Sequence, residues 1–174
     1  LGNAAAAHGN AWFTVNLIPD AREQVPRERV DFAIQEAAIE NLVGDAEHVI
    51  AAKGLRPAIE PVLGGGTGAG FPNVVIDEDG KRRRIEMLRT FEDHWFGQLT
   101  FSPTIDWLDV SEVDLTDNRI ILRDAQLPGE DARRDIRIPL AEDGSMILNW
   151  PRGEYTESFR HLSFYEVIYY EKLL

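Results

Sequence analysis

The chain has 174 residues, 44% of them hydrophobic and 28% charged, the composition of a folded globular protein able to bury its own core as one domain. Thirty acidic residues against eighteen basic ones leave a formal charge of −12, which argues against nucleic acid and anionic lipid surfaces as partners, because both need basic patches. With no cysteine, disulfides, thiolate metal sites and cysteine nucleophiles are excluded.

In chain order, Ala4 to Ala7 favour a helix that His8-Gly9-Asn10 stops. The run 11–18, AWFTVNLI, reads as a buried strand ended by Pro19. A helix is expected from Pro26, with Val30, Ile34, Ala37, Ala38 and Leu42 on one face and Gly44 at its end. Residues 46–54 read as a further short helix, 56–63 as an extended link with two prolines, and 64–70 as a flexible loop. Two hairpins are expected at the acidic turns Glu78-Asp79-Gly80 and Glu142-Asp143-Gly144, since Gly takes the positive φ that a tight turn needs. The first would pair 73–76 with 83–88, and the second spans 135–150. Between them, Pro103 suits the first turn of a helix within 98–110, 119–122 reads as a strand, and 127–134 as a polar loop. Ser163-Phe-Tyr-Glu166 has capping-box spacing and opens a last helix through Tyr170. Strands interleaved with helices imply an α/β fold, with α+β as the alternative: a layered domain with a mixed sheet, two Asp-Gly hairpins and flanking helices.

No set of catalytic groups emerges, so no catalytic residue is assigned. The four histidines, His8, His48, His94 and His161, are dispersed and match no metal-ligand spacing, and Asp77, Glu78 and Asp79 lack the spacing of a Ca²⁺ loop. No metal and no cofactor are therefore expected. Leu63-GGGTGAG-Phe71 resembles the phosphate loop of tubulin-like GTPases at Gly64, Gly65, Gly66, Thr67 and Gly68. A phosphate loop needs a helix N-terminus after it, and here Phe71-Pro72 follows, which favours a connector. The aromatic group Phe159, Phe164, Tyr165, Tyr169 and Tyr170 reads as core or as a partner-helix contact.

Several short motifs, taken in order, carry a resemblance. Gly70-Phe-Pro-Asn73, Asp77-Glu-Asp-Gly80 with Arg83-Arg84, Ile138-Pro-Leu140, Gly144, Ile147-Leu-Asn149 and Phe159-Arg-His-Leu-Ser163-Phe164 resemble the cyclase/histidine-kinase-associated sensory extracellular domain of the second type. Trp150 stands where that family has an aromatic, often Tyr, and Asn10-Ala-Trp-Phe13 resembles one of its earlier strands. The family's opening acidic strand and its final strand before the membrane are not found, and the chain opens on Leu. The expectation is thus a fragment, the central portion of such a domain, with some sheet edges left uncovered. What the resemblance implies is an extracytoplasmic sensory domain of a bacterial membrane receptor whose cytoplasmic output is a nucleotide cyclase or kinase.

If a small-molecule ligand is sensed, Asn73, Arg83, Arg84 and Asn149 are the candidate ligand-binding residues, because they fall on the resembling motifs and offer amide and guanidinium groups to a polar or anionic ligand. The competing reading has the asparagines satisfying backbone groups and the arginines pairing with nearby acids. A homodimer in a membrane-tethered parent is expected. Two other functions remain open at this stage: nucleotide binding by 64–70, and a dimerisation module or structural spacer.

Overall fold

The computed structural model describes residues 1–154 except 23, together with 157. A short helix, α1 (Gly2–His8), ends at Gly9 in the left-handed conformation and leads into strand β1 (Trp12–Ile18). Pro26, with its fixed φ, sets the start of helix α2 (Arg27–Ala37). Val15 and Leu17 of β1 are buried against Val30, Ala33 and Ala37 of α2. This packing places a helix on one face of a three-stranded sheet. In that sheet β1 pairs antiparallel with β5 (Gly54–Pro57) and parallel with β6 (Gly68–Gly70).

The helix α2 stops well short of Leu42. Ala38 is extended, β2 (Ala38–Ile39) pairs with Phe96 and Trp95, and β3 (Leu42–Gly44) joins another sheet. Asn41 explains the change: its Nδ2 donates to the carbonyls of Val110 and Ser111 at 3.0 and 3.2 Å, capturing the chain with distant bonds that another helical turn would not make. Nor is 46–54 a helix. A turn at Glu47-His48 leads to β4 (Ile50–Ala51), which runs parallel to Arg89 and Thr90. The expected extended link is instead β5 followed by the short helix α3 (Glu60–Leu63), with Pro61 in its first turn and Leu63 fully buried.

The glycine-rich run is not a loose connector either. A Cβ on Gly65 would fall 2.4 Å from the Gly2 carbonyl oxygen, and one on Gly68 would fall 2.7 Å from the Trp12 ring. A Cβ on Gly70 would meet the Leu99 backbone at 2.7 Å. Glycines stand here because neighbouring chain approaches closely, and β6 uses that closeness to lie beside β1.

Beyond β6 come β7 (Arg84–Glu86), β8 (Leu88–Phe91), β9 (His94–Gly97), helix α4 (Phe101–Trp107), β10 (Glu112–Thr116), β11 (Arg119–Ala125), β12 (Arg134–Pro139) and β13 (Ser145–Ile147). The second sheet runs β2-β9-β8-β4, the third β12-β11-β10-β3, and β13 pairs with β7. Helices layered on several mixed sheets make this the α/β fold expected. Two hydrophobic clusters result. One gathers Val15, Leu17, Leu55, Leu63, Phe71, Phe91 and Phe96 around the first sheet. The other gathers Leu88, Phe101, Ile105, Val113, Leu115, Ile120 and Leu122 between α4 and the third sheet.

Neither Asp-Gly turn makes the hairpin expected of it. Residues 73–76 form no strand, and Val74 and Ile76 are exposed. β12 pairs with β11, not with β13. The actual two-residue hairpins lie at Glu92-Asp93, both with positive φ (47° and 64°), and at Asp117-Asn118. The expected C-terminal helix, the aromatic group within 159–170 and His161 lie outside the described residues.

Candidate functional site

The two Asp-Gly segments close in the same way. In the first, Asp77 N–H donates to Lys81 O (2.9 Å), Gly80 N–H to Asp77 O (2.8 Å) and Lys81 N–H to Asp79 Oδ1 (3.2 Å). In the second, Ala141 N–H donates to Ser145 O (2.8 Å), Gly144 N–H to Ala141 O (2.9 Å) and Ser145 N–H to Asp143 Oδ1 (3.1 Å). The glycines sit at φ 78° and 75°. This is a three-residue loop closed by a left-handed glycine. Each loop turns a corner: the chain leaves it with a new partner, and the strands leaving the two corners, β7 and β13, pair with each other.

Arg83 and Arg84 fasten this ribbon. Arg84 donates from Nε and Nη2 to Asp77 Oδ1 (3.0 and 2.6 Å) and from Nη1 to Asp143, so one side chain ties the two corners together. Arg83 reaches Asp79 through Nη1 and Nη2 (2.9 and 2.7 Å) and Asp77 through Nη1 (3.1 Å). Hydrogen bonds from Arg84 and then Arg83 hold the Asp77 carboxyl below the usual carboxylate range, and Arg83 does the same for Asp79. Asp143 is lowered chiefly by the hydroxyl and N–H of Ser145, with Arg84 adding to it. Both guanidinium groups are raised by the same carboxylates.

Of the candidate ligand residues, Arg83 and Arg84 therefore share one cluster, at the corner where β7 begins. Asn149 is exposed beyond β13, where Leu148 N–H donates to Arg83 O (2.8 Å) and Trp150 Nε1–H to Arg82 O (2.7 Å). Asn73 is half-buried, and its Oδ1 is enclosed without a hydrogen-bond partner. Beside the ribbon lies a mainly apolar cavity of about 210 Å³, bounded by His48, Val75, Glu86, Leu88, Leu115 and Asp143 among others. The His48 ring lies against Gly144: a Cβ there would fall 1.7 Å from His48 Cδ2.

Sequence reasoning missed Arg89. This side chain is 6% exposed, donates to both carboxylate oxygens of Glu86 (2.8 and 2.7 Å) and from Nη1 to Leu17 O (3.0 Å), and stands over the Phe71 ring at 5.1 Å. It joins β7 and β8 to β1 and thus connects the ribbon to the first hydrophobic cluster. No local pattern announces it, since an arginine in a short strand has the sequence signature of an edge charge.

A second, more polar pocket, of about 310 Å³, opens between the end of α2, β6 and α4. The glycine-rich run contributes to it through Thr67, Gly68 and Ala69. No helix N-terminus follows this run, so the phosphate-loop geometry is not formed there.

The model of the CHASE2 domain family matches residues 7–172, nearly the whole chain. Comparison with curated proteins and with solved structures returns no significant match.

Proposed function

The chain belongs to the CHASE2 domain family of extracellular sensory domains, and on that premise we propose that residues 1–174 form a single signal-input domain on the extracytoplasmic face of a bacterial membrane receptor. The family match over 7–172 carries this reading. The parent is a membrane-bound nucleotide cyclase or kinase, works as a homodimer, and receives a small-molecule or conformational signal through this domain. The domain itself breaks no covalent bond. Among the described residues no helix is long and apolar enough to cross a membrane.

For a signal to pass, a ligand must bind one internal arrangement better than another; equal affinity shifts nothing. The seam between the two hydrophobic clusters, crossed by Arg89, supports such a mechanism, because a displacement there would act on the bonds of a buried charge to Glu86 and Leu17. An anionic ligand at Arg83 and Arg84 would have to displace Asp77, Asp79 and Asp143. We therefore assign these arginines to holding the ribbon, with Asn73 and Asn149 flanking it.

The test is made in the parent protein. Alkaline phosphatase inserted after Gly129, in an exposed polar loop, is active only outside the cytoplasm, and activity there is expected. Arg89→Leu in the same protein is expected to change cyclase or kinase output in membrane vesicles. An inactive phosphatase fusion at normal expression overturns the placement, and output indifferent to every substitution at the seam overturns the signal-input role.

A further inference from the structure

The pocket between α2, β6 and α4 has a chemistry the ribbon lacks. Glu36, Glu40 and Asp106 line it, and none of their carboxylates has a hydrogen bond or ion pair with a described residue. Asp109 also lines it but is engaged by Arg133. Among the described residues no Lys, Arg or His contributes to the wall. The C-terminal end of α2 adds its partly negative carbonyls on the same side. Two further features are independent of the acidic groups. Ser102 lines the pocket at 7% exposure, and its Oγ, which lies close to Gly97 of β9, has no hydrogen-bond partner among the described residues, a cost that a native structure sustains when something else supplies the partner. Trp12 presents an indole, held against the bare backbone of Gly68.

We propose that this pocket binds a small organic cation carrying a primary ammonium group, which makes it the ligand site of the sensory domain. The inference rests on the sensory reading above. Carboxylates with no cationic partner among the described residues favour positive charge, the Trp12 indole in the wall is a group that attracts cations, and the Ser102 hydroxyl can accept from an ammonium N–H. A metal ion does not satisfy the same geometry: among the described residues no three His, Asp or Glu side chains converge closely enough to hold one. The acidic groups are instead spread around a space of about 310 Å³, which suits a cation with a carbon skeleton. The pocket also touches both hydrophobic clusters, through Ala37 and Ala69 on one side and Ile105 and Val110 on the other. A ligand there bears on both at once, as a signal-input site requires.

Isothermal titration of the full chain with 1,4-diaminobutane at constant ionic strength tests this, with choline and magnesium chloride as separate arms. Saturable binding of the diamine below about 10 mM is expected, at least about tenfold weaker in Glu36→Gln/Asp106→Asn and weaker in Ser102→Ala. Both variants should keep the wild-type melting temperature without ligand, which separates lost binding from lost folding. No saturable heat overturns the inference, as does heat unchanged by the Glu36 and Asp106 substitutions. Equal binding of magnesium overturns the organic class, and equal binding of choline overturns the demand for N–H donors. Because the titration needs no output domain, binding without any effect on receptor output would leave the pocket standing but overturn its role as the sensory ligand site. Failure to bind would leave the sensory reading untouched.

Discussion

Gly80 and Gly144 share almost one backbone, φ 78° and 75°, yet their surroundings differ. A Cβ at Gly80 would meet nothing within 4 Å, whereas at Gly144 it would strike the His48 ring. Gly80→Ala should therefore cost only the left-handed backbone term, about 1 kcal/mol. Gly144→Ala adds overpacking against His48, bringing the loss to about 3 kcal/mol. In a His48→Ala background the excess should disappear, which a double-mutant cycle by urea denaturation will read. Equal costs at the two glycines in the wild-type background would show that the ring moves freely. Arg89 gives the sharper case. Arg89→Leu leaves the Glu86 carboxylate and the Leu17 carbonyl without their partner. Breaking a buried pair from one side costs about 3–5 kcal/mol, and Glu86, whose side chain keeps 17% of its exposure, can relax toward water, so the lower end is expected. Pairing Arg89→Leu with Glu86→Gln should recover part of that loss, because no charge is then stranded.

At the scale of elements, the ribbon of β7 and β13 is the feature on which the sequence reading and the structure part most usefully. Its register places Ile85 opposite Met146 and Arg84 opposite Ile147. Since the chain holds no cysteine, Ile85→Cys/Met146→Cys is a clean probe, and it should form a disulfide under mild oxidation. The pair Val75→Cys/Arg83→Cys, which the simple hairpin would have joined, should not. The ion pairs at the ribbon give a second check with a definite sign. Asp77 is depressed in the folded state by Arg84 and Arg83, so its stabilising contribution is complete above the unfolded carboxylate value of about 3.9 and lost as pH falls through the lower folded value. The stability gap between wild type and Asp77→Asn should stay constant from neutral pH to about 5 and close below about 4. A gap that instead widened under acid would reverse the assignment. Part of the fold was legible: both glycine turns, β1, the start of α2 at Pro26, and, for Arg83 and Arg84, the competing reading that they pair with nearby acids. What could not be read was which strands meet. β7 and β13 have three residues each, too few for alternation to declare a partner, and the choice is made by contacts sixty residues apart. The candidate pocket was hidden for the same reason, since Trp12, Glu36, Gly68 and Ser102 come from separate elements and no local motif links them.

For the molecule as a whole, the question is whether two hydrophobic clusters mean two folding units. The hairpin of β8 and β9 argues that they do not. Leu88 belongs to the cluster beneath the third sheet, while Phe91 and Phe96, in the same hairpin, belong to the cluster around the first. Neither cluster can lose that hairpin and stay packed, and Arg89 within it also carries the bond to Leu17. Melting of one half would expose the apolar flank of the other, so unfolding should be cooperative. The tryptophans allow a direct reading. Trp12 stands on β1 in the first sheet and Trp95 packs against the other cluster, whereas Trp107 and Trp150 are 69% and 55% exposed and can be exchanged for Phe at small cost. Two variants, one retaining only Trp12 and the other only Trp95, should give coincident urea transitions by fluorescence. Midpoints that separate, with the slope of each transition shared out between them, would mean that the halves fold independently. In that event a ligand bridging them would act by docking one half on the other. Coincidence would require it to act by shifting a single packed body between two arrangements, the form of switching that a buried charge at the seam is suited to control.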